Sequence, residues 1–269
     1  TTRHAVVDLL RALGYAVHSS AGNLNNAVGV PMTLLGLSPQ HEIAVVEMGM
    51  NAPGELAYLA GLCEPDVGVV TLVAHAHTEG VGSLLGVARE KVDLLRHVVA
   101  SGTAIANLDS PGAAAGLLVA GPLRRLGYGE AAGSFVRLAA RRPTAALGAE
   151  IDLVVDGRTL LDPALAGDGE RLVAAISAIG AGEPGRLSAT PAPRDNLVID
   201  DAYNANPASM RSSIEAAAEL AQVTGKRLVL ILGAMRELGA ASPELHGEVG
   251  RAAAGAKPAF SRRASTKPS

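Results

Sequence analysis

The sequence predicts an α/β fold with a mainly parallel sheet. Two observations carry this. Short β-branched runs without polar alternation recur along the chain, and amphipathic stretches of helical spacing separate them. The first run is Ile43-Ala44-Val45-Val46-Glu47-Met48-Gly49. Val67 to Val73, Gly102 to Leu108, Leu197 to Ile199 and Arg227 to Leu232 repeat it. Such runs read as strands buried on both faces, as in parallel sheets covered by helices. The amphipathic stretches are Pro53 to Cys63, Ser83 to Val99 and Ala208 to Gln222.

Taken in order, the chain opens on a helix, Thr1 to Leu13. Val6, Leu9, Leu10 and Leu13 form its stripe and Gly14 stops it. A polar loop, Ser19 to Asn26, precedes the first strand. Residues 134–138 and 151–155 read as antiparallel strands, with a hairpin turn at Asp156-Gly157. Residues 181–196, rich in Gly, Pro and Ala, read as a linker. This gives a first domain over 1–192 and a second, partial α/β domain over 193–256. Residues 257–269 have no periodicity and are expected to be disordered.

Composition bounds the function. With 269 residues, 48% hydrophobic and 18% charged, the chain is globular and long enough for roughly two domains. With a net charge of -3, a strongly basic nucleic-acid surface is not expected. Aromatic residues make up 2% with no Trp, which argues against base-stacking platforms. The single cysteine, Cys63, allows no intrachain disulfide and fits a reducing compartment. No apolar stretch has the length of a membrane span.

Four places invite chemistry. Glu47 closes a strand and is followed by Gly49; ligands of open α/β sheets sit at strand carboxyl ends, where a carboxylate suits a hard cation. Capping of a neighbouring helix is the plainer alternative. Val67 to Val73 runs into a glycine-rich loop holding His75 and His77, which suits a ligand or acid/base role. Lys91 lies on the apolar stripe of Leu84, Val87, Leu94, Leu95 and Val98, where an unpaired ammonium is costly; it either snorkels outward or is paired or modified. Asp200-Asp201-Ala202-Tyr203-Asn204-Ala205-Asn206-Pro207 joins a strand to a helix. Asn206 and Pro207 suit the cap and first turn, but capping does not account for the carboxylates, Tyr203 and Asn204 beside them.

Four blocks together resemble the Mur ligase family, the ATP-dependent amide-forming enzymes of peptidoglycan precursor synthesis. They are Gly22 to Leu37 (GNLNNAVGVPMTLLGL), Val45 to Leu56 (VVEMGMNAPGEL), Ala76 to Lys91 (AHTEGVGSLLGVAREK) and Ile199 to Met210 (IDDAYNANPASM). The last block is similar to that of the member joining D-alanyl-D-alanine to UDP-N-acetylmuramoyl-tripeptide. Gly233 to Gly239 and His246 to Gly250 fit the same member.

The resemblance implies a central ATPase-type domain and a partial Rossmann-like C-terminal domain. It implies ATP and Mg2+ as cofactors, the tripeptide precursor and D-alanyl-D-alanine as substrates, and a cytoplasmic monomer. By the same resemblance Glu47, His77 and Lys91 are metal ligands and catalytic residues, Lys91 as a carbamylated lysine. Arg186, Asp200, Tyr203 and Asn204 face the nucleotide, and Asn23, Asn25, Asn26 and Asn206 face substrate.

Departures from the family pattern accompany the match. The glycine-rich phosphate loop ending in Gly-Lys-Thr is missing, and Thr1-Thr2-Arg3 resembles the residues just after its lysine. Ala166 to Val173 lacks the expected His and Asn, and Ala234 replaces an acidic residue. A truncated ligase, inactive alone, is therefore expected. The alternatives are a catalytically dead scaffold or a related ligase of the folylpolyglutamate type.

Overall fold

A computed structural model describes residues 2–74, 83–121, 123–145, 148–159, 168–177, 185–258 and 260–263. His75 and His77 lie outside the described residues. The chain divides into two compact units. One is built from the described residues up to 73 with 83–140 and 152–177; the other contains 141–151 and the chain from 185 onward.

The first unit opens with α1 (Thr2–Ala12), β1 (Val17–Ser19), α2 (Gly29–Leu35), β2 (Ile43–Val45) and α3 (Glu55–Cys63). It continues through β3 (Val67–Val70), α4 (Leu84–Arg96), β4 (Thr103–Asn107), α5 (Pro111–Val119) and β5 (Arg124–Gly129). β1 and β2 pair in parallel, Val17 opposite Ile43. β3, β4 and β5 form a parallel ladder, with Val67 opposite Thr103 and Thr103 opposite Arg124. The expected parallel α/β arrangement is present.

β6 (Val136–Pro143), β7 (Ala149–Val155) and β8 (Arg158–Thr159) extend the larger sheet. β6 pairs with β5 in parallel through Tyr128 and Val136, whereas β7 and β8 form an antiparallel hairpin. The turn falls at Asp156-Gly157 as the sequence predicts. Both residues have positive φ, 49° and 77°, the conformation of a two-residue hairpin turn that Asp-Gly favours. α6 (Asp168–Ser177) follows, and Arg171 donates to the Leu13 carbonyl at 3.2 Å.

The core of this unit gathers Val70, Leu95, Ala104, Ala106, Ala113 and Leu117 between sheet and helices. The strands are not buried on both faces, contrary to expectation. On β3 only Gly68 and Val70 are buried, while Val67 and Val69 are exposed, and Ala44 of β2 is exposed too. A β-branched run reports how apolar a strand is, not what covers its second face.

The second unit contains β9 (Ser188–Ala192), β10 (Asn196–Asp200), α7 (Pro207–Thr224), β11 (Val229–Leu232), α8 (Ser242–Gly255) and β12 (Phe260–Arg263). Its core is Ile214, Leu230, Met235, Leu238, Leu245 and Val249. Two segments differ from expectation. The linker contains β9, which pairs antiparallel with β10, Ser188 opposite Asp200. The tail supplies β12, parallel to β11 with Val229 opposite Phe260.

Candidate functional site

The first unit gathers its candidate residues at the carboxyl ends of its parallel strands. β2 stops at Val45, and the chain turns irregular through Glu47 to Met50. The Glu47 amide donates to Ser20 Oγ at 3.1 Å, and the Gly49 amide donates to the Asn25 carbonyl at 2.7 Å. These bonds lace the strand end to the polar loop after β1. The approach is close at Gly49, where a Cβ would sit 3.0 Å from Asn25 Nδ2 and push that side chain aside. Asn25 Nδ2 in turn lies 3.5 Å from Glu47 Oε1. Asn26 is occupied locally: its Oδ1 accepts from the Val28 and Gly29 amides at 3.1 and 2.9 Å, opening α2.

Lys91 reaches the same end of the unit from α4. A small core of Met50, Leu56 and Val87, flanked by Met48 and Val73, joins the segment after Glu47 to α4 and the end of β3. Glu90 strengthens that junction by accepting from the Gly54 amide at 2.8 Å. One turn beyond Val87, Lys91 Nζ donates to the Leu72 carbonyl at 2.6 Å. Burial holds the Lys91 amine below the usual lysine range, because losing water costs the ammonium more than the amine.

Neighbouring strand ends are organised alike. Ser110 Oγ accepts from the Val73 amide at 3.1 Å. Asp109 accepts from the Glu130 and Ala131 amides at 2.7 and 3.1 Å. Tyr128 is pushed above the usual phenol range by burial and then by the Asp109 charge.

A divalent cation fits these residues only in part. Glu47, with its side chain 40% exposed, offers one hard carboxylate donor. Among the described residues no three His, Cys, Asp or Glu side chains converge. An ammonium at Lys91 would repel a cation; a carbamate there would not. The described side chains therefore do not make a magnesium site by themselves.

In the second unit the candidates cluster where β10 meets α7. Asn206 caps α7, accepting from the Ser209 amide at 2.9 Å while Ser209 Oγ accepts from the Asn206 amide at 3.2 Å. Asp200 Oδ1 accepts from the Ala202 amide at 3.1 Å, and Asn204 Oδ1 from the Ala205 amide at 2.8 Å. Asp201 accepts from the Leu187 amide at 2.9 Å and from Ser213 Oγ. Tyr203 donates its amide to the Gly185 carbonyl at 3.0 Å, and the Arg186 guanidinium lies 4.1 Å from its ring centroid. Asp200, Tyr203, Asn204 and Asn206 thus share one turn, and Arg186 meets it from the 185–187 segment through the Tyr203 ring.

Sequence reasoning missed Arg3, Ser20 and Ser213. Arg3 and Val7 are the buried residues of α1, rather than the predicted stripe. Their spacing of four was the available signal, but an arginine is not an expected core residue.

Comparison with known proteins decides the family. Residues 1–159 match the Mur ligase middle domain, and residues 185–264 match the Mur ligase, glutamate ligase domain. The chain belongs to the Mur ligase family. It is 36% identical over 261 residues to the UDP-N-acetylmuramoyl-tripeptide--D-alanyl-D-alanine ligase of Escherichia coli, covering 87% of this chain and 55% of that protein. The Synechocystis protein of the same name is 33% identical over 273 residues, covering 93% and 56%. Among solved structures, MurF from Acinetobacter baumannii superposes with a TM-score of 0.84 at 27% identity, over 97% of this chain and 60% of that one. The MurF ligase of Thermotoga maritima in complex with ADP shares the fold, with a TM-score of 0.76 at 24% identity, over 93% and 61%. This member of the Mur ligase family spans about half the length of the curated relatives it matches.

Proposed function

We propose that this chain forms part of an ATP-dependent ligase that joins D-alanyl-D-alanine to UDP-N-acetylmuramoyl-tripeptide. The carrying observation is similarity across 87% and 93% of the chain to relatives named for that reaction. The Ile199 to Met210 block, which resembles that member on its own residues, agrees with it.

In this reaction the terminal phosphoryl group of ATP passes to the tripeptide carboxylate, giving an acyl phosphate and ADP. The amine of D-alanyl-D-alanine attacks the acyl carbon, and the tetrahedral intermediate expels phosphate. Mg2+, when bound, screens the phosphate charge. Glu47 offers a carboxylate toward that ion, and His77, outside the described residues, is the further ligand that the resemblance implies. Lys91 suits carbamylation: partial burial holds its amine below the usual lysine range, and the neutral amine attacks the carbon of carbon dioxide, releasing a proton and leaving a carbamate. Arg186, stacked on Tyr203, offers a preset guanidinium to phosphate oxygens, with Asp200 and Asn204 beside it. Asn23 and Asn25, on the loop laced to Glu47, face the precursor, and Asn206 flanks the acceptor. On this reading the protein is a cytoplasmic monomer, because the family resemblance implies it. Among the described residues no helix is long and apolar enough to cross a membrane.

The test joins this chain to the amino-terminal half of the Escherichia coli relative and follows product by mass spectrometry. The expected result is UDP-N-acetylmuramoyl-pentapeptide, dependent on ATP and D-alanyl-D-alanine and lost in Lys91→Ala. A soluble, folded chimera that makes no product would favour the scaffold reading, and product from a different amine would favour a related ligase.

A further inference from the structure

Arg3 is the only charged side chain among the buried described residues. It lies near the start of α1, with its side chain 5% exposed. Burying a guanidinium is costly unless every face of it is paired. Here it is multiply paired. Nη1 donates to the Ser20 carbonyl, Nη2 donates to the Gly22 carbonyl at 3.0 Å, and Nε lies 3.5 Å from Glu47 Oε2. Nη2 is also 3.0 Å from His4 Nε2, which must accept because a guanidinium only donates.

The partners belong to two different strand ends. Ser20 and Gly22 begin the loop that carries Asn23, Asn25 and Asn26, and Glu47 closes the β2 segment. Ser20 is itself buried, and its hydroxyl takes the Glu47 amide. One planar fork therefore spans both segments. Glu47 meets Arg3 through Oε2 and Asn25 through Oε1, both at 3.5 Å, so its carboxylate is held from two directions while 40% of the side chain stays exposed.

We infer that Arg3 is a positioning residue, whose guanidinium sets the Glu47 carboxylate and the Asn23–Asn26 loop in one fixed geometry. This rests on the reading that Glu47 and that loop belong to the ligase site. A lysine cannot replace it, because a single ammonium cannot present a rigid fork to two carbonyls and a carboxylate together.

The experiment uses the 269-residue chain, Arg3→Lys and Arg3→Met, with amide hydrogen exchange read residue by residue. The Leu24, Glu47 and Gly49 amides, bonded to the Ala21 carbonyl, Ser20 Oγ and the Asn25 carbonyl, are the reporters. Both variants are expected to exchange at these amides about tenfold faster or more, the size of losing a charge-assisted hydrogen bond. The β4 amides should keep their wild-type rates. In the unaltered chain the Arg3 Nη hydrogens should give separate, slowly exchanging NMR signals, which decides the matter even if Arg3→Met fails to fold. Wild-type protection in Arg3→Lys would overturn the inference, as would equal acceleration in β4 or an averaged, fast-exchanging Arg3 guanidinium. None of these readouts involves ATP or substrate. A chain with the locked guanidinium that supports no product would defeat the ligase reading and leave this one standing.

Discussion

The two candidate regions are held by opposite means. At the end of β2, Glu47 is placed by residues far away in sequence: Arg3, Ser20 and Asn25. Where β10 meets α7, the side chains of Asp200, Asn204 and Asn206 bond to amides within three residues of themselves. The first arrangement depends on tertiary packing, and a single lost partner spreads. The second is largely a property of its own sequence, so damage should stay local. Asp201 and Tyr203 are the exceptions, since they tie that turn to residues 185–187.

Arg3→Met should break the contrast most severely. It strands the buried Ser20 carbonyl, whereas water can reach the exposed Gly22; one unpaired buried acceptor costs on the order of 1–3 kcal/mol, so the first unit should lose about 1–3 kcal/mol in urea unfolding. The Glu47 contact adds little to that figure, because its carboxylate is partly solvated. A loss below about 0.5 kcal/mol, the size of an ordinary surface change, would mean the network is incidental.

Asn206→Ala comes next. Losing the reciprocal cap of α7 should cost about 1 kcal/mol in the second unit and leave exchange in the first unchanged. Acceleration at the Glu47 amide would erase the distinction between local and tertiary placement.

Tyr203→Leu should cost about 0.5–1 kcal/mol through the lost stack on Arg186, whose partner ring is 55% exposed, while Tyr203→Phe should match the parent. Equal losses in both would assign the effect to the hydroxyl and not to the ring.

The smallest effect concerns Glu55, the first unit's own local motif. Its carboxylate accepts from the Asn51 and Ala52 amides, which hold it below the usual carboxylate range. The sign follows from linkage. The folded chain binds this proton less readily than the unfolded one, so the contribution is full above about pH 4.3 and fades as pH falls through the lower folded value. Glu55→Gln should therefore flatten the acid limb of the stability curve slightly and change nothing at pH 7 beyond the lost bonds. An unchanged acid limb would show that the carboxylate contributes no pH-dependent stability.

The same contrast decides what could be read from sequence. β2, β3, β4 and β11 were visible because each lies in an apolar run, β5 (RRLGYG) was not because it opens on two arginines, and Lys91 was visible because helical spacing places it among Val87, Leu94 and Leu95. The Asp200–Pro207 turn was legible for the reason it is robust: its bonds are local, and Asn206-Pro207 announces a cap. β1 has only three residues, too few for a pattern, and β9 contains Pro191 and small residues that imitate a linker. β12 joins β11 through backbone pairing, which no alternation of side chains in Phe260–Arg263 announces. Arg3 was hidden because burial of an arginine depends on partners that only the fold assembles.

The central proposal is that Lys91, whose partly buried amine is held below the usual lysine range, carries a carbamate. Carbon-13 NMR of the chain equilibrated with labelled bicarbonate tests it directly. The account predicts one protein-bound carbamate signal in the parent chain, absent from Lys91→Arg. No signal in the parent, or a signal that persists in Lys91→Arg, would contradict it.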